Sequence, residues 1–178
     1  MRGTESIPEF FKHAAYYGVF ENHDASYRPL LLISFALEKE FFGFNPVVSH
    51  GINLLLFAAQ VMVLFLLMKR IFHRVSVYIP FFIVLLFALH PIHTEVVASV
   101  KSRDEIMAVL FAGITMLHSM KYIDTNKIKY LVFSAIFFFI ALISKETPVT
   151  FVAIIPMTIY FFRDVKLKQV IIACVPLL

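Results

Sequence analysis

Cysteine occurs once, at Cys174, so no disulfide can form within the chain, and neither a CxxC pair nor zinc-knuckle spacing exists. Charge is scarce too. Asp, Glu, Lys and Arg make up 16% of the residues, against ~25% in an ordinary soluble domain. A water-exposed surface of normal composition is thereby excluded. Gly/Ser linkers, blocks of like charge and sequence repeats are missing, which argues against flexible tethers, charged tails and solenoids. The first 20 residues mix polar and aromatic types and hold no apolar core of a secretory signal.

What the chain has instead is apolar mass. Of its 178 residues 60% are hydrophobic, and the mean hydropathy is +0.84. Lipid tolerates such an excess of Phe, Leu, Ile and Val, whereas a soluble surface does not. The composition predicts an all-α fold, a multi-pass bundle of transmembrane helices.

The clearest span is 46–68, about 34 Å long at 1.5 Å per residue. Asn45 reads as its N-cap and Pro46 as its first helical residue, and Lys69 and Arg70 close it at a polar interface. Further apolar segments follow at 75–89, 105–120, 130–143 and 147–162, several of them short for a ~30 Å hydrocarbon core. A sixth opens near Leu167 and stops at Leu178, short of the ~20 residues a membrane helix needs. It reads as a helix cut short. Ser102 with Glu105 fits a capping box, and Thr147 with Pro148 fits a cap and a first-turn proline. The chain divides into an outer segment, 1–45, and a bundle, 46–178. The outer segment is expected to hold short interfacial helices. One carries Phe10, Phe11, Ala14, Ala15 and Tyr17; another is opened by Pro29 and carries Leu30, Ile33 and Leu37.

The loops alternate in charge. Lys69, Arg70 and Arg74, then Lys121, Lys127 and Lys129, then Arg163, Lys166 and Lys168 face only two acids, Asp124 and Asp164. The intervening loops set Lys101, Arg103 and Lys145 against Glu95, Asp104, Glu105 and Glu146. The positive-inside rule assigns the first set to the cytoplasm and the N-terminal segment to the outer or lumenal side.

Nearly every candidate for chemistry falls on that outer side. In Leu89-His90-Pro91-Ile92-His93-Thr94-Glu95, Pro91 should end the third span at His90, and the apolar 96–100 that follows suggests backbone dipping into the interface. Two imidazoles and a carboxylate suit a metal, a phosphate or acid–base work. The plainer reading is a helix end with interfacial histidines. Arg103-Asp104-Glu105 opens the next span. The acids suit a helix start, but a cation there opposes the dipole, so Arg103 calls for an anionic ligand or an acid partner. Lys145-Glu146 reads equally as an interfacial ion pair or a functional pair. His50, Asn53 and Gln60 fall on one helical face, as interhelix hydrogen-bonding groups would. Arg28 suits a phosphate contact or headgroup snorkelling.

Tyr27-Arg28-Pro29-Leu30, Asn45-Pro46 with His50, the string from Leu89 through Glu95 to Ala98, and Lys145-Glu146-Thr147 share one order and spacing with a known family. They resemble the membrane half of the transmembrane and tetratricopeptide-repeat O-mannosyltransferases and their bacterial relatives. The His-Pro-Ile-His-Thr-Glu string is the most specific part, and the resemblance covers roughly residues 27–162. It implies a GT-C type glycosyltransferase of the bacterial inner membrane or the endoplasmic reticulum. Such an enzyme passes a sugar, here mannose, from a polyprenyl-phosphate donor to an acceptor hydroxyl on a protein or glycan, at the outer or lumenal face.

The resemblance implies that Tyr27 and Arg28 border the active-site loop. His90, His93, Glu95, Arg103, Asp104, Lys145 and Glu146 would line the outer cavity, with Glu95 and His93 closest to the chemistry. The family's principal base belongs to an acidic motif after an earlier helix. Asp24 does not match that motif. The chain therefore looks like an internal piece of a larger enzyme, expected to be inactive alone. Its implied partners are a lipid-linked sugar, an acceptor and membrane lipids, not nucleic acid. No cofactor is specified, and a divalent metal stays open. The rivals are a transporter or channel with a polar pathway along His50, Asn53 and Gln60, and a non-catalytic assembly subunit.

Overall fold

The computed structural model describes residues 28–43 and 45–177, and every regular element among them is helical. Eight α-helices follow in order: α1 (Pro29–Phe42), α2 (Pro46–Ile71), α3 (Tyr78–Leu89), α4 (His93–Ala98), α5 (Arg103–Thr125), α6 (Lys129–Ser144), α7 (Phe151–Phe162) and α8 (Leu167–Cys174). Short 3-10 turns lead into α5 (Val100–Ser102) and α7 (Thr147–Thr150). Tyr27, Asp24 and the aromatic helix expected around Phe10 lie outside the described residues.

Prolines open α1 and α2, where the missing N–H costs nothing. Asn45 caps α2 as its sequence suggests, its Oδ1 accepting from the Val47 N–H at 3.0 Å. Two expected caps do not form. Ser102 makes no side-chain cap bond; instead the Asp104 carboxylate takes the Glu105 N–H at 2.9 Å. Thr147 lies inside a 3-10 turn, and the Thr150 hydroxyl donates to its carbonyl at 2.9 Å. Ser102 keeps the N-cap position but ends a 3-10 turn, with ψ 8°, and its side chain makes no cap bond; the second 3-10 turn moves the start of α7 to Phe151, away from Thr147. α5 ends on Asn126 in the left-handed region, φ 57°, whose N–H returns to the Tyr122 carbonyl at 2.7 Å.

Among the described residues two segments are long and apolar enough to cross a membrane: α2, and α5 with its leading 3-10 turn. α3, α6 and α7 are apolar but run only 12, 16 and 12 residues. The outside of the bundle is as apolar as the inside. Leu54, Leu55, Phe82, Leu86, Phe139 and Tyr160 all stand exposed, a surface that suits lipid and would aggregate in water. α1 is the helix expected from Pro29; it turns Leu31 and Ala36 inward, with Leu30 and Ile33 half-buried and Leu37 exposed.

α5 is the central helix and packs most extensively on α6 and α2. Small residues allow this. Ala108, Ala112, Thr115 and Ser119 are buried along α5, and Ser119 Oγ meets Ser134 Oγ of α6 at 2.8 Å. A Cβ on Gly113 would stand 3.1 Å from Val63 Cγ1, so α2 crosses α5 about as closely as a glycine permits. At one end of the bundle Asp124 accepts from Arg70 at 2.8 Å and Arg163 at 2.9 Å, tying together the ends of α2, α5 and α7. The loops read from sequence as the basic set thus gather at one end.

Candidate functional site

The opposite end is organised by three consecutive residues at the start of α5. Successive helical side chains point about 100° apart, so three in a row reach three different neighbours. Arg103 pairs with Glu38 of α1, Nη2 to Oε2 at 2.7 Å. Asp104 pairs with Arg28, which immediately precedes α1. Glu105 pairs with Lys145, just past α6. The start of α5 therefore pins α1 and the α6–α7 connection to the bundle. Of the two partners the sequence left open for Arg103, an anion or an acid, the structure places the acid there.

Arg103 is fully buried, and a buried guanidinium is costly unless its donors are satisfied. Nε donates to Asn53 Oδ1 at 2.8 Å, Nη1 to Ser34 Oγ at 3.3 Å and Nη2 to the Ser49 carbonyl at 3.2 Å. The Phe35 ring lies 4.5 Å from its central carbon, a cation–π contact. Glu38 in turn accepts from the Ser49 hydroxyl. Asn53 passes the network on, donating to the carbonyls of Ser99 at 3.1 Å and Val97 at 3.4 Å. One polar cluster thus fixes α1, α2, α5 and the irregular stretch before α5. Asn53 and Gln60 of the expected polar face of α2 are buried; His50 is exposed.

Arg28 differs from Arg103. Its side chain is 16% exposed, and its Nε is buried with no hydrogen-bond partner. Asp104 holds Nη1, and the Nε donor is left without a partner.

The His90–Glu95 string behaves as Pro91 dictates. α3 ends at Leu89, and His90 is extended, with ψ 128°. His90 Nδ1 accepts from the Ile92 N–H at 3.2 Å, which leaves the exposed ring's Nε2 facing out. His93 packs its ring on Phe87 and Phe57, with centroids 4.2 and 5.5 Å away. Glu95 is exposed in the first turn of α4. His90, His93 and Glu95 do not converge as ligands, and no group of three His, Cys, Asp or Glu that would hold a metal occurs among the described residues. Lys145 is engaged with Glu105, not with its neighbour Glu146, which is exposed.

Sequence reasoning missed Glu38. Its signal was there, since Ser34 and Glu38 stand four apart and so share a face of α1. Glu38 also borders two open cavities. One, about 380 Å³, is lined by Phe35, Asn45 and Ser49; the other, about 290 Å³, by Ser34, Leu56 and Arg103.

Residues 29–178 match the family model described as dolichyl-phosphate-mannose-protein mannosyltransferase. The chain is 32% identical over 165 residues to protein O-mannosyl-transferase TMTC2 of Homo sapiens, covering 88% of this chain and 20% of that protein. It is 33% identical over 139 residues to TMTC3 of Mus musculus, covering 75% of this chain and 15% of that protein. It is 28% identical over 106 residues to protein O-mannosyl-transferase F38B6.6 of Caenorhabditis elegans, covering 59% of this chain and 15% of that protein. The chain thus spans about one fifth or less of the length of these relatives. No solved structure matches it. With the family model matched from the start of α1 onward, the chain belongs to the dolichyl-phosphate-mannose-protein mannosyltransferase family.

Proposed function

We propose that this chain forms part of the catalytic end of a GT-C type membrane glycosyltransferase. The full-length protein would transfer mannose from a polyprenyl-phosphate donor to a Ser or Thr hydroxyl of a protein, on the outer or lumenal face. The observation that supports this reading is that Arg28 and Lys145, from the motifs that carry the resemblance, are ion-paired with Asp104 and Glu105 beside Arg103 at one end of the bundle. The basic loops gather around Asp124 at the other end, which supports the outward orientation of the network.

In such a transfer the acceptor oxygen bonds to the anomeric carbon, the bond from that carbon to the phosphate oxygen breaks, and the acceptor's proton passes to a base. Polyprenyl phosphate leaves with the bonding pair. The leaving phosphate gains charge, so donors aimed at it lower the barrier. Arg28, with its free Nε, is the group that supplies one. Arg103 and Asp104 are spent on their partners and hold the site's shape. Glu95 and His93, on the exposed edge of α4 and against its aromatic wall, orient the acceptor. The chain spans about one fifth of a relative's length, and the principal base is read as lying in the remainder, so the 178-residue chain alone should not turn over.

The test is transfer kinetics of the full-length protein with Arg28→Gln. Glutamine keeps a hydrogen bond to Asp104 but loses the charge and Nε. Turnover should fall on the order of tenfold to a thousandfold at normal expression. Unchanged turnover would remove Arg28 from the phosphate site.

A further inference from the structure

At the basic end of the bundle two cavities meet. One is an apolar cleft of about 390 Å³ between α2, α5 and α7, lined by Leu64, Leu67, Met116, Phe151 and Ile154. The other, about 210 Å³, is lined by His73, Arg74, Val75, Phe161 and Asp164. Ile71, Phe72 and Phe162 line both, so the charged pocket opens onto the apolar cleft.

The rim carries Arg70, Arg74 and Arg163 with His73, against Asp124 and Asp164. Asp124 is consumed by Arg70 and Arg163. The Arg74–Asp164 pair, 3.2 Å apart, is held by side chains 77% and 93% exposed. Such a pair contributes little and exchanges readily. His73 Nδ1 sits 3.1 Å from Arg163 Nη1 and so accepts from it, which leaves Nε2 as the donor. Arg70 keeps a buried Nε with no hydrogen-bond partner. The corner therefore has cationic donors in excess of its carboxylates, beside a cleft shaped for a hydrocarbon chain.

We propose that this paired cavity binds one membrane phospholipid with an anionic headgroup. The headgroup phosphate sits on Arg74 and His73 at the rim, and one acyl chain lies in the cleft between α2 and α7. Basic pockets between membrane helices suit such headgroups. The site is distinct from the ion-paired network around Arg103, because α5 separates the two ends by about 35 Å. The inference rests on the chain's lying in a membrane and not on its transferring a sugar.

The test uses full-length protein in phosphatidylcholine nanodiscs with a minor share of phosphatidylserine, counting retained phosphatidylserine by native mass spectrometry. His73 and Arg74 are both exposed, so H73Q/R74Q leaves the fold intact. It should weaken phosphatidylserine retention about fivefold or more, the effect of one surface cation. I154W, which fills the cleft, should weaken it without touching charge. K127Q/K129Q on the neighbouring basic loop should not. Equal loss in K127Q/K129Q would show diffuse charge attraction and overturn the site. Unchanged retention in either H73Q/R74Q or I154W would overturn it as well. Displacement by millimolar inorganic phosphate would make this a free-phosphate site, and displacement by dolichyl phosphate a donor site; either contradicts the proposal.

Discussion

Arg103 shows how a cation is kept at a helix N-terminus, where the dipole opposes it. It is held by Glu38, Asn53, Ser34 and the Ser49 carbonyl, with no exposed surface of its own. Removing one partner of a buried pair leaves the other charge stranded, at a cost of about 3–5 kcal/mol. Arg103→Met and Glu38→Leu should each lose that much in denaturant unfolding in mixed micelles, while the double variant recovers most of it. Additive losses would mean that the two groups do not depend on each other. The residue scale also marks what a sequence can reveal. Asn45 as a cap and His90 as a helix end were legible, because both follow from backbone chemistry within a few residues. Glu38 was not, because its partner lies 65 positions away on another helix. The Lys145–Glu105 pair was misread as Lys145–Glu146 for the same reason: adjacency was visible and the fold was not.

The helices themselves were largely legible. The apolar segments at 75–89, 130–143 and 147–162 reappear as α3, α6 and the run into α7, with boundaries moved by a few residues. Their starts were less so, since the 3-10 turn before α5 leaves Ser102 at the N-cap without a side-chain bond and the one before α7 displaces Thr147 from it. How closely two helices approach was not legible at all. Gly113 carries no turn and reads as an ordinary interruption, yet it lets α2 reach α5. Gly113→Ala must move Val63 by a few tenths of an ångström while gaining helix propensity, so its stability should stay within about 1 kcal/mol of wild type. Gly113→Leu overpacks the crossing and should cost about 1–3 kcal/mol. Thermal unfolding of both variants in one detergent checks this, and equal stability would show that α2 and α5 are not tightly apposed.

For the whole molecule, the decisive feature is that its two ends differ. One gathers the basic loops around Asp124, and the other gathers buried ion pairs around the start of α5. The charge pattern predicts that the first is cytoplasmic. In a C174S background, with the protein in the inner membrane of spheroplasts, T125C should therefore resist an impermeant thiol reagent added outside, whereas I92C should react with it. Outside labelling at position 125 would reverse the orientation and move the proposed chemistry with it. The most direct test is transfer of mannose from dolichyl-phosphate mannose to a Ser/Thr peptide by the full-length protein, wild type against Glu95→Gln, at matched expression. A folded, inserted Glu95→Gln protein should lose on the order of ten- to a thousandfold in turnover. Normal expression with wild-type turnover would contradict the account, leaving Glu95 as a surface carboxylate in the first turn of α4 and the neighbouring histidines as interfacial residues.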